Sequence, residues 1–422
     1  MNPVTRRTFL GRSATTVLSA SVGGSVLAAC STTETSQALP ADVSPIRHRY
    51  AFEGAHQVGI VTPAQEHAII VAFDVVVSDA PALQAMFETL TKEIRDLMAG
   101  LAAPALDPLE PPADNLIVGV DPPAADLTIT AAVGASLFDD RYGLVDLKPK
   151  QLIQMPEFPN DKPDVTRLHG DLLIQICAST PAMCNHVLRR VMRATRSSLV
   201  LKWLLPGFNT PNQLGPGRAS GRNLLGFKDG TANPDSEDEP SMNDLVWIGP
   251  GTHEPMWTVG GSYQVVRLIR NRVEFWDRTP LRTQETIIGR EKNTGAPVGM
   301  QNETDSPDFS LDPGGSTFGL HGHIRLANPR TPQTQRNRIL RRGFNYSTGF
   351  DAAGQLDQGL LFVCFQRSLD DGFVAVQNRL DGEALEEYIT PFGGGYFFAL
   401  PGVTRGSDNL ADGLFARPGS GA

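Results

Sequence analysis

From residue 47 onwards, the pattern of hydrophobic and polar positions predicts alternating strands and helices. Residues 68–77 (AIIVAFDVVV) form an apolar, β-branched run that is typical of a buried strand. Residues 81–100 carry apolar side chains at helical spacing, and Pro81 suits the first turn of a helix. Six prolines in residues 101–126 then predict a loop. The other elements expected in this half are a strand at 127–133, a strand at 171–178, a helix at 181–196 and a strand at 198–205.

The second half of the chain shows a similar order of elements. Its expected elements are a strand at 263–273, a helix at 278–290, a strand at 359–366, a helix at 371–380 and a strand at 394–400. Each half ends on Leu-Pro-Gly followed by an apolar residue, which indicates duplication of one unit rather than coincidence between generic segments. Strands that pair across long connections, with helices on one face, predict an α+β fold of two antiparallel, ferredoxin-like sheets.

The length of 422 residues suits two to three domains of ordinary size, and composition places their boundaries. A stretch rich in glycine, proline and asparagine, residues 206–234, separates the two halves. The expected organisation is a signal segment at 1–30, a Ser/Thr/Pro-rich tether at 31–46, domains at 47–222 and 223–403, and a tail at 404–422. The glycine-rich tail is expected to be either disordered or an assembly contact.

The amino terminus resembles a twin-arginine export signal. Arg6 and Arg7 precede an apolar run, residues 13–29, that is too short and too rich in glycine and hydroxyl side chains to span a membrane well. The run ends in Leu-Ala-Ala-Cys, so Cys30 is a candidate for lipid attachment, with ordinary cleavage as the alternative. We therefore expect the protein in the periplasm or on the outer face of the cytoplasmic membrane. Because this route exports folded proteins, the signal also favours a bound prosthetic group.

Charge and cysteine content exclude two classes of protein. The formal net charge is -9, and leaving out the three arginines of the first 29 residues lowers it to -12, so nucleic acid is not an expected partner. After processing at most Cys177, Cys184 and Cys364 remain, each in or beside an apolar run. An odd number in such positions predicts buried thiols and not a disulfide framework.

The first candidate for chemistry is residues 226–234, GFKDGTANP. A carboxylate on a glycine-rich backbone, here Asp229, is able to approach a flat ligand closely and transfer a proton to it. The alternative is an ordinary Asp-Gly turn.

The second candidate combines residues 321–330, HGHIRLANPR, with residues 340–346, LRRGFNY. A histidine such as His321 or His323 is the usual axial ligand of heme iron in proteins that activate peroxide or oxygen. Arg341 or Arg342 supplies a permanently charged donor that stabilises the negative charge of a breaking O–O bond. Taken one at a time, such residues are more often a structural histidine and solvated surface arginines.

Together these segments resemble dye-decolourising peroxidases, which are heme enzymes with two ferredoxin-like domains. The resemblance also includes residues 134–139 (GASLFD) and 169–172 (HGDL), keeps the segments in the order of the family and covers about residues 47 to 403. It is strongest to the exported deferrochelatase/peroxidase branch, which accompanies bacterial iron-uptake systems.

The resemblance implies that heme b is held mainly by the carboxyl-terminal domain. It makes His323 the iron ligand, with His321 as the near competitor, and Asp229 the acid–base group. Arg341 becomes the distal arginine, with Arg342 ranked second. The remaining cofactor contacts that it implies are Gly230, Thr231 and Ala232 against the heme, and Asn328, Pro329 and Arg330 near the heme propionates. Family members also hydrogen-bond the ligand histidine to a carboxylate, which the sequence does not identify.

The function implied is reduction of hydrogen peroxide with oxidation of organic donors, tied to iron or heme acquisition. Two alternatives stay open: release of iron from heme with the porphyrin ring intact, and a non-catalytic heme- or iron-binding lipoprotein. The expected partners are peroxide, an organic donor or heme, and components of an iron-uptake permease, while membrane contact is expected only through a lipid on Cys30. The sequence leaves open the oligomeric state and which aromatic residues carry electrons, with Trp203, Trp247, Trp257, Trp276 and the tyrosines as candidates.

Overall fold

The computed structural model describes residues 47–209, 221–405 and 408–416. The expected signal with Arg6, Arg7 and Cys30, and the expected tether, lie outside these residues. Within them, none of the helices combines the length and the apolar character that crossing a membrane requires.

Strands and helices are distributed over both halves of the chain. The strands are β1 (His67–Val75), β2 (Thr128–Gly134), β3 (Leu172–Ala178), β4 (Leu199–Phe208), β5 (Ser262–Asn271), β6 (Leu340–Arg341), β7 (Phe344–Phe350), β8 (Leu356–Gln366) and β9 (Ile389–Ala399). The α-helices are α1 (Ala80–Ala99), α2 (Pro181–Ala194), α3 (Glu239–Leu245), α4 (Val273–Trp276), α5 (Leu281–Ile288), α6 (His323–Ala327), α7 (Ala375–Leu380) and α8 (Asp412–Phe415).

The first half is a ferredoxin-like unit. Its chain order is β1, α1, β2, β3, α2, β4, and the strands lie side by side in the order β4, β1, β3, β2, all antiparallel. The second half repeats this arrangement with β5, β7, β8 and β9, which lie in the order β7, β8, β5, β9. The prediction of an α+β fold built on duplicated antiparallel units is confirmed.

The two sets of strands meet at both edges. On one side β2 pairs with β9, and on the other Phe208 of β4 pairs with Asn345 of β7. Eight strands thus close into one ring, with the two-residue β6 added beside β8. Because edge strands expose unpaired backbone groups, closing the ring removes most of them from solvent.

Helix α1 shows why the sequence pattern located the early elements well. Asp79 caps its first turn by accepting a hydrogen bond from the Ala82 amide, and Gly100 ends it in the left-handed conformation with φ of 64°. Leu83, Phe87 and Leu90 on its inner face are buried. Because apolar residues recur at helical spacing between two clear capping residues, the boundaries of α1 can be predicted from the sequence.

Some elements of the second half of the chain were harder to predict. The expected helix at 278–290 is the shorter α5, which begins after Pro280, and the four-residue α4 that precedes it was not expected. Strand β7 was not expected because only its first three residues are buried, so it lacks the alternation of a typical strand. Helix α6, at five residues, is too short to show a helical period.

Hydrophobic packing forms two large cores, which lie on opposite faces of the sheet. One lies under α1 and α2 and includes Leu410, Ala411 and Leu414 from the segment expected to be a tail. The other packs the opposite face of the same strands, around residues such as Phe344 and Phe397. A third, smaller cluster lies beside the site described next. The three expected free thiols, Cys177, Cys184 and Cys364, are all buried and unpaired, which confirms that prediction.

Candidate active site

A large cavity lies between one face of the second-half strands and the helices α6 and α7. Arg341 of β6, Phe362 of β8 and Ile269 of β5 line it from the strands, while His323 of α6 and Leu380 of α7 line it from the helices. The strand residues share one face because side chains alternate along a strand and the register pairs β6 and β5 with β8.

The cavity volume is about 260 Å³, measured as the space open to the centres of water molecules. An apolar cavity of about 150 Å³ is enough to bind benzene, so this larger space admits a flat ligand of several rings.

His323, the first residue of α6, points into this cavity and is held by a carboxylate. Its Nδ1 atom lies 2.7 Å from Oε2 of Glu383, a side chain that keeps only 4% of its surface exposed. Burial alone lowers the pKa of His323, but the neighbouring Glu383 carboxylate outweighs that effect, so the pKa is raised. Because a carboxylate oxygen accepts the Nδ1 proton, the lone pair of Nε2 stays available to a metal. Glu383 is thus the partner that the sequence did not identify, 60 residues further along the chain.

Arg379 fixes the other end of the short helix α6. Its guanidinium donates to the carbonyl oxygens of Leu326, at 3.0 Å, and Ala327, at 3.2 Å. These carbonyls belong to the last turn of α6, where a cation satisfies unpaired acceptors and opposes the helix dipole. The chain segment from Arg379 to Glu383 therefore holds α6 at both ends.

Asp229 and Arg341 form the polar pair of the cavity. Oδ1 of Asp229 accepts a hydrogen bond from Nη1 of Arg341 at 2.6 Å, and both side chains stay about one third exposed, at 32% and 29%. Oδ2 of Asp229 makes no hydrogen bond within the described part of the chain, so it is free to exchange a proton. The next residue, Gly230, has φ of 99°, a conformation that favours glycine and explains the Asp-Gly pair.

Asn233 joins the Asp229 loop to the strand that carries Arg341. Its side-chain Nδ2 donates to the Arg341 carbonyl at 2.7 Å, and its Oδ1 accepts from the Arg341 amide at 3.2 Å. One amide side chain therefore satisfies both backbone groups of Arg341 and fixes the two chain segments relative to each other.

The neighbouring Arg342 faces away from the cavity. It is buried and donates to the Thr62 and Pro63 carbonyls and to the Gln65 side chain in the first half of the chain. Adjacent residues of a strand point to opposite faces, so Arg341 and Arg342 cannot both reach the cavity.

One end of the cavity is strongly cationic. Arg290, Arg330 and Arg338 line this end. Burial lowers the pKa of Arg290 and the pKa of Arg330, and the positive charge of neighbouring guanidinium groups lowers both pKa values further. Nε of Arg330 is buried with no hydrogen-bond partner among the described residues. Since an arginine stays charged in proteins, this end favours a ligand that carries carboxylates.

The structure brings most of the predicted site residues together. Those that line the cavity are Asp229, Gly230, Thr231, Ala232, His323, Asn328, Arg330 and Arg341. Pro329 is not among the lining residues, and His321, two positions before His323, is exposed to solvent. An imidazole with a free Nε2, an acid–guanidinium pair, apolar walls and a cationic end together fit a heme with its two propionates.

Two family descriptions cover nearly all of the described chain. Residues 57–209 match "Dyp-type peroxidase, N-terminal", and residues 220–404 match "Dyp-type peroxidase, C-terminal".

Curated relatives and solved structures agree with these matches. The chain is 50% identical over 382 residues to "Deferrochelatase" of Escherichia coli (strain K12), covering 90% of each chain. A relative of the same name from Shigella flexneri is also 50% identical and is covered over 91% of its length. Ferric DtpA from Streptomyces lividans has a TM-score of 0.78 at 32% identity, covering 88% of this chain and 98% of that one. A DyP-type peroxidase from Cellulomonas bogoriensis has a TM-score of 0.77, also at 32% identity, covering 88% of this chain and 99% of that one.

Proposed function

This chain belongs to the Dyp-type peroxidase family, and on that premise we propose that His323, Asp229 and Arg341 carry its heme-dependent peroxidase reaction. The protein is an oxidoreductase that reduces hydrogen peroxide and oxidises an organic donor, with heme as its cofactor. The observation that carries the assignment of residues is the shared cavity, which an imidazole, a carboxylate and a guanidinium line together.

The residues that would hold the cofactor follow from the chemistry of the cavity. Nε2 of His323 would bind the iron, and Arg290, Arg330 and Arg338 would bind the propionates. When bound, heme supplies the iron that gives electrons to peroxide and takes electrons back from the donor.

Asp229 moves the proton that peroxide cleavage requires. Its free oxygen, Oδ2, accepts a proton from one oxygen of hydrogen peroxide and delivers it to the other, which then leaves as water. Arg341 keeps the carboxylate in place through Oδ1 and stabilises the negative charge on the leaving oxygen. A protein that only stored heme would need neither group in this position.

Dye oxidation tests this function directly. Heme-loaded protein is expected to bleach an anthraquinone dye at a rate that depends on peroxide concentration. Protein that binds heme but bleaches no dye would instead support a non-catalytic heme-binding role.

A second candidate function is the release of iron from heme with the ring intact. It is favoured by the relatives named deferrochelatase, which are 50% identical over most of their length. Chromatography of the porphyrin after incubation with heme separates the two functions, because iron release yields metal-free protoporphyrin and peroxidation alone does not.

Replacing Glu383 by glutamine is expected to weaken the iron–imidazole bond. The amide is a poorer acceptor than the carboxylate, so His323 becomes less basic, and loss of such a partner costs about 10- to 100-fold in metal affinity or activity. Resonance Raman spectroscopy of the ferrous protein is expected to show a lower iron–histidine stretching frequency. Glu387→Gln, an exposed neighbour, serves as the control. An unchanged frequency in Glu383→Gln would remove this role from Glu383.

We further propose export by the twin-arginine route, lipid attachment at Cys30 and service to an iron-uptake permease. The support is the sequence of Arg6, Arg7 and the Leu-Ala-Ala-Cys run. Replacing both arginines by lysine is expected to retain the protein in the cytoplasm, as cell fractionation would reveal. Replacing Cys30 by alanine is expected to abolish labelling by a palmitate analogue. Normal export of the double-lysine variant would contradict the route.

A further inference from the structure

Glu303 bonds the residues on both sides of the Asp229–Gly230 turn. One carboxylate oxygen, Oε2, pairs with the Lys228 ammonium, and the other, Oε1, accepts a hydrogen bond from the Thr231 hydroxyl at 2.8 Å. Lys228 and Glu303 keep only 11% and 13% of their side-chain surface exposed. Glu303 lies 75 positions after Lys228 and 72 positions after Thr231 in the chain, so no local sequence pattern marks the contact.

The backbone of Glu303 is itself held in place by a neighbouring arginine. The Arg290 side chain donates to its carbonyl oxygen at 2.9 Å and also to the Gly295 carbonyl. The Lys228 stem passes so close to Gly295 that a Cβ there would lie 2.6 Å from it, and the φ of 78° at this position also favours glycine. The anchor for the Asp229 turn is therefore a fixed structure and not a mobile surface side chain.

The turn that carries Asp229 needs such an anchor. It belongs to no helix or strand. An isolated antiparallel bridge pairs Lys228 with Arg222, the Asp229 amide donates to the Gly221 carbonyl, and the Asn233 amide donates to the Gly230 carbonyl, the last two at 2.9 Å. Asn233 ties the far side of this turn to Arg341, and Glu303 ties the near side. The two contacts add to the backbone bonds of the turn and restrain the position of the Asp229 carboxylate from both sides.

We propose that Glu303 is a positioning residue for the acid–base step, because it bonds the side chains of Lys228 and Thr231, on the two sides of the Asp229–Gly230 turn, and so keeps the Asp229 carboxylate against Arg341. This inference rests on the proposed role of Asp229. Glu303 is not among the residues that line the cavity, so it acts through the turn.

The test measures two rates that depend on Asp229 in the heme-loaded protein. The first is the reaction with hydrogen peroxide. The second is the binding of cyanide, because hydrogen cyanide must lose its proton to a group in the cavity. A misplacement of about 1 Å costs about 100-fold in a positioned reaction, so Glu303→Leu is expected to slow both rates by roughly 10- to 100-fold. Glu303→Gln, which keeps the length of the side chain and an acceptor for the Thr231 hydroxyl, is expected to slow the two rates less.

A double-mutant cycle distinguishes positioning from a general structural effect. In the Asp229→Asn background, Glu303→Leu is expected to slow neither rate by more than about twofold, since the group that it positions is already gone. Glu291→Leu is the matched control, because Glu291 lies nearby in the chain and, among the described residues, its carboxylate accepts a side-chain hydrogen bond from Thr294 alone. Its rates are expected to match those of the unmodified protein.

Two further variants cover the case in which Glu303→Leu does not fold or bind heme. Lys228→Met and Thr231→Val each remove one of the two contacts while leaving Glu303 in place, and both are expected to slow cyanide binding. Equal slowing by Glu303→Leu with and without Asp229, or unchanged rates in the Glu303, Lys228 and Thr231 variants, would overturn the positioning role alone. Rates unaffected by Asp229→Asn itself would overturn both this inference and the proposed function.

Discussion

Replacing Asp229 by asparagine is expected to slow the reaction of the heme-loaded protein with hydrogen peroxide by about 10² to 10⁴, the usual contribution of a positioned acid–base group. Asparagine keeps the shape of the side chain and an oxygen for the Arg341 hydrogen bond, but it cannot accept a proton at the position of Oδ2. The heme content is expected to stay unchanged, because His323 and the cationic end of the cavity are untouched.

Stopped-flow absorption in the Soret region measures this rate at several peroxide concentrations. Asp238→Asn is the matched control: Asp238 caps α3 on the surface, and asparagine caps a helix about as well as aspartate. A rate constant in Asp229→Asn within a factor of about two of the unmodified protein would exclude Asp229 as the acid–base group.

Replacing His323 by alanine is expected to have the largest effect on the cofactor, with loss of most of the bound heme. Loss of a partner of the ligand histidine already costs about 10- to 100-fold in affinity, so loss of the ligand itself is expected to cost more. The ratio of Soret to protein absorbance in the purified variant measures this. Added imidazole is expected to restore part of the band by occupying the space of the missing ring.

The control for this variant is His321→Ala, in the same segment. His321 is exposed to solvent, so its removal is expected to leave the Soret band unchanged. Circular dichroism separates loss of the ligand from loss of the fold, because His323 lies outside the three hydrophobic cores. A normal spectrum in His323→Ala, together with loss of the band in His321→Ala, would transfer the ligand role to His321.

The sequence predicted the elements whose hydrophobic pattern is strong. Strand β1 and helix α1 lie within one or two residues of their expected bounds, because each has a continuous apolar face and α1 has clear caps. Strand β7 and helix α6 were missed because tertiary contacts, and not their own pattern, hold them. The closing of the two sheets into one ring could not be predicted from the sequence either, because the pairing of Phe208 with Asn345 joins residues far apart in the chain.

The candidate site divides in the same way. Asp229, His323 and Arg341 lie in short segments that resemble a known family, so the sequence alone predicted them. It did not predict their supporting residues, because Glu383 and Glu303 each lie 60 or more residues from the groups that they hold. The choice between Arg341 and Arg342 also needed the structure, because only the register of β6 against β8 tells which of the two faces the cavity.

The most direct test is a crystal structure of the heme-loaded protein. We expect the iron bonded to Nε2 of His323, with Glu383 on Nδ1, and the Asp229 and Arg341 side chains on the opposite face of the porphyrin. Iron bonded to another residue, or Asp229 and Arg341 on the same face as the ligand or outside the cavity, would contradict the assignment.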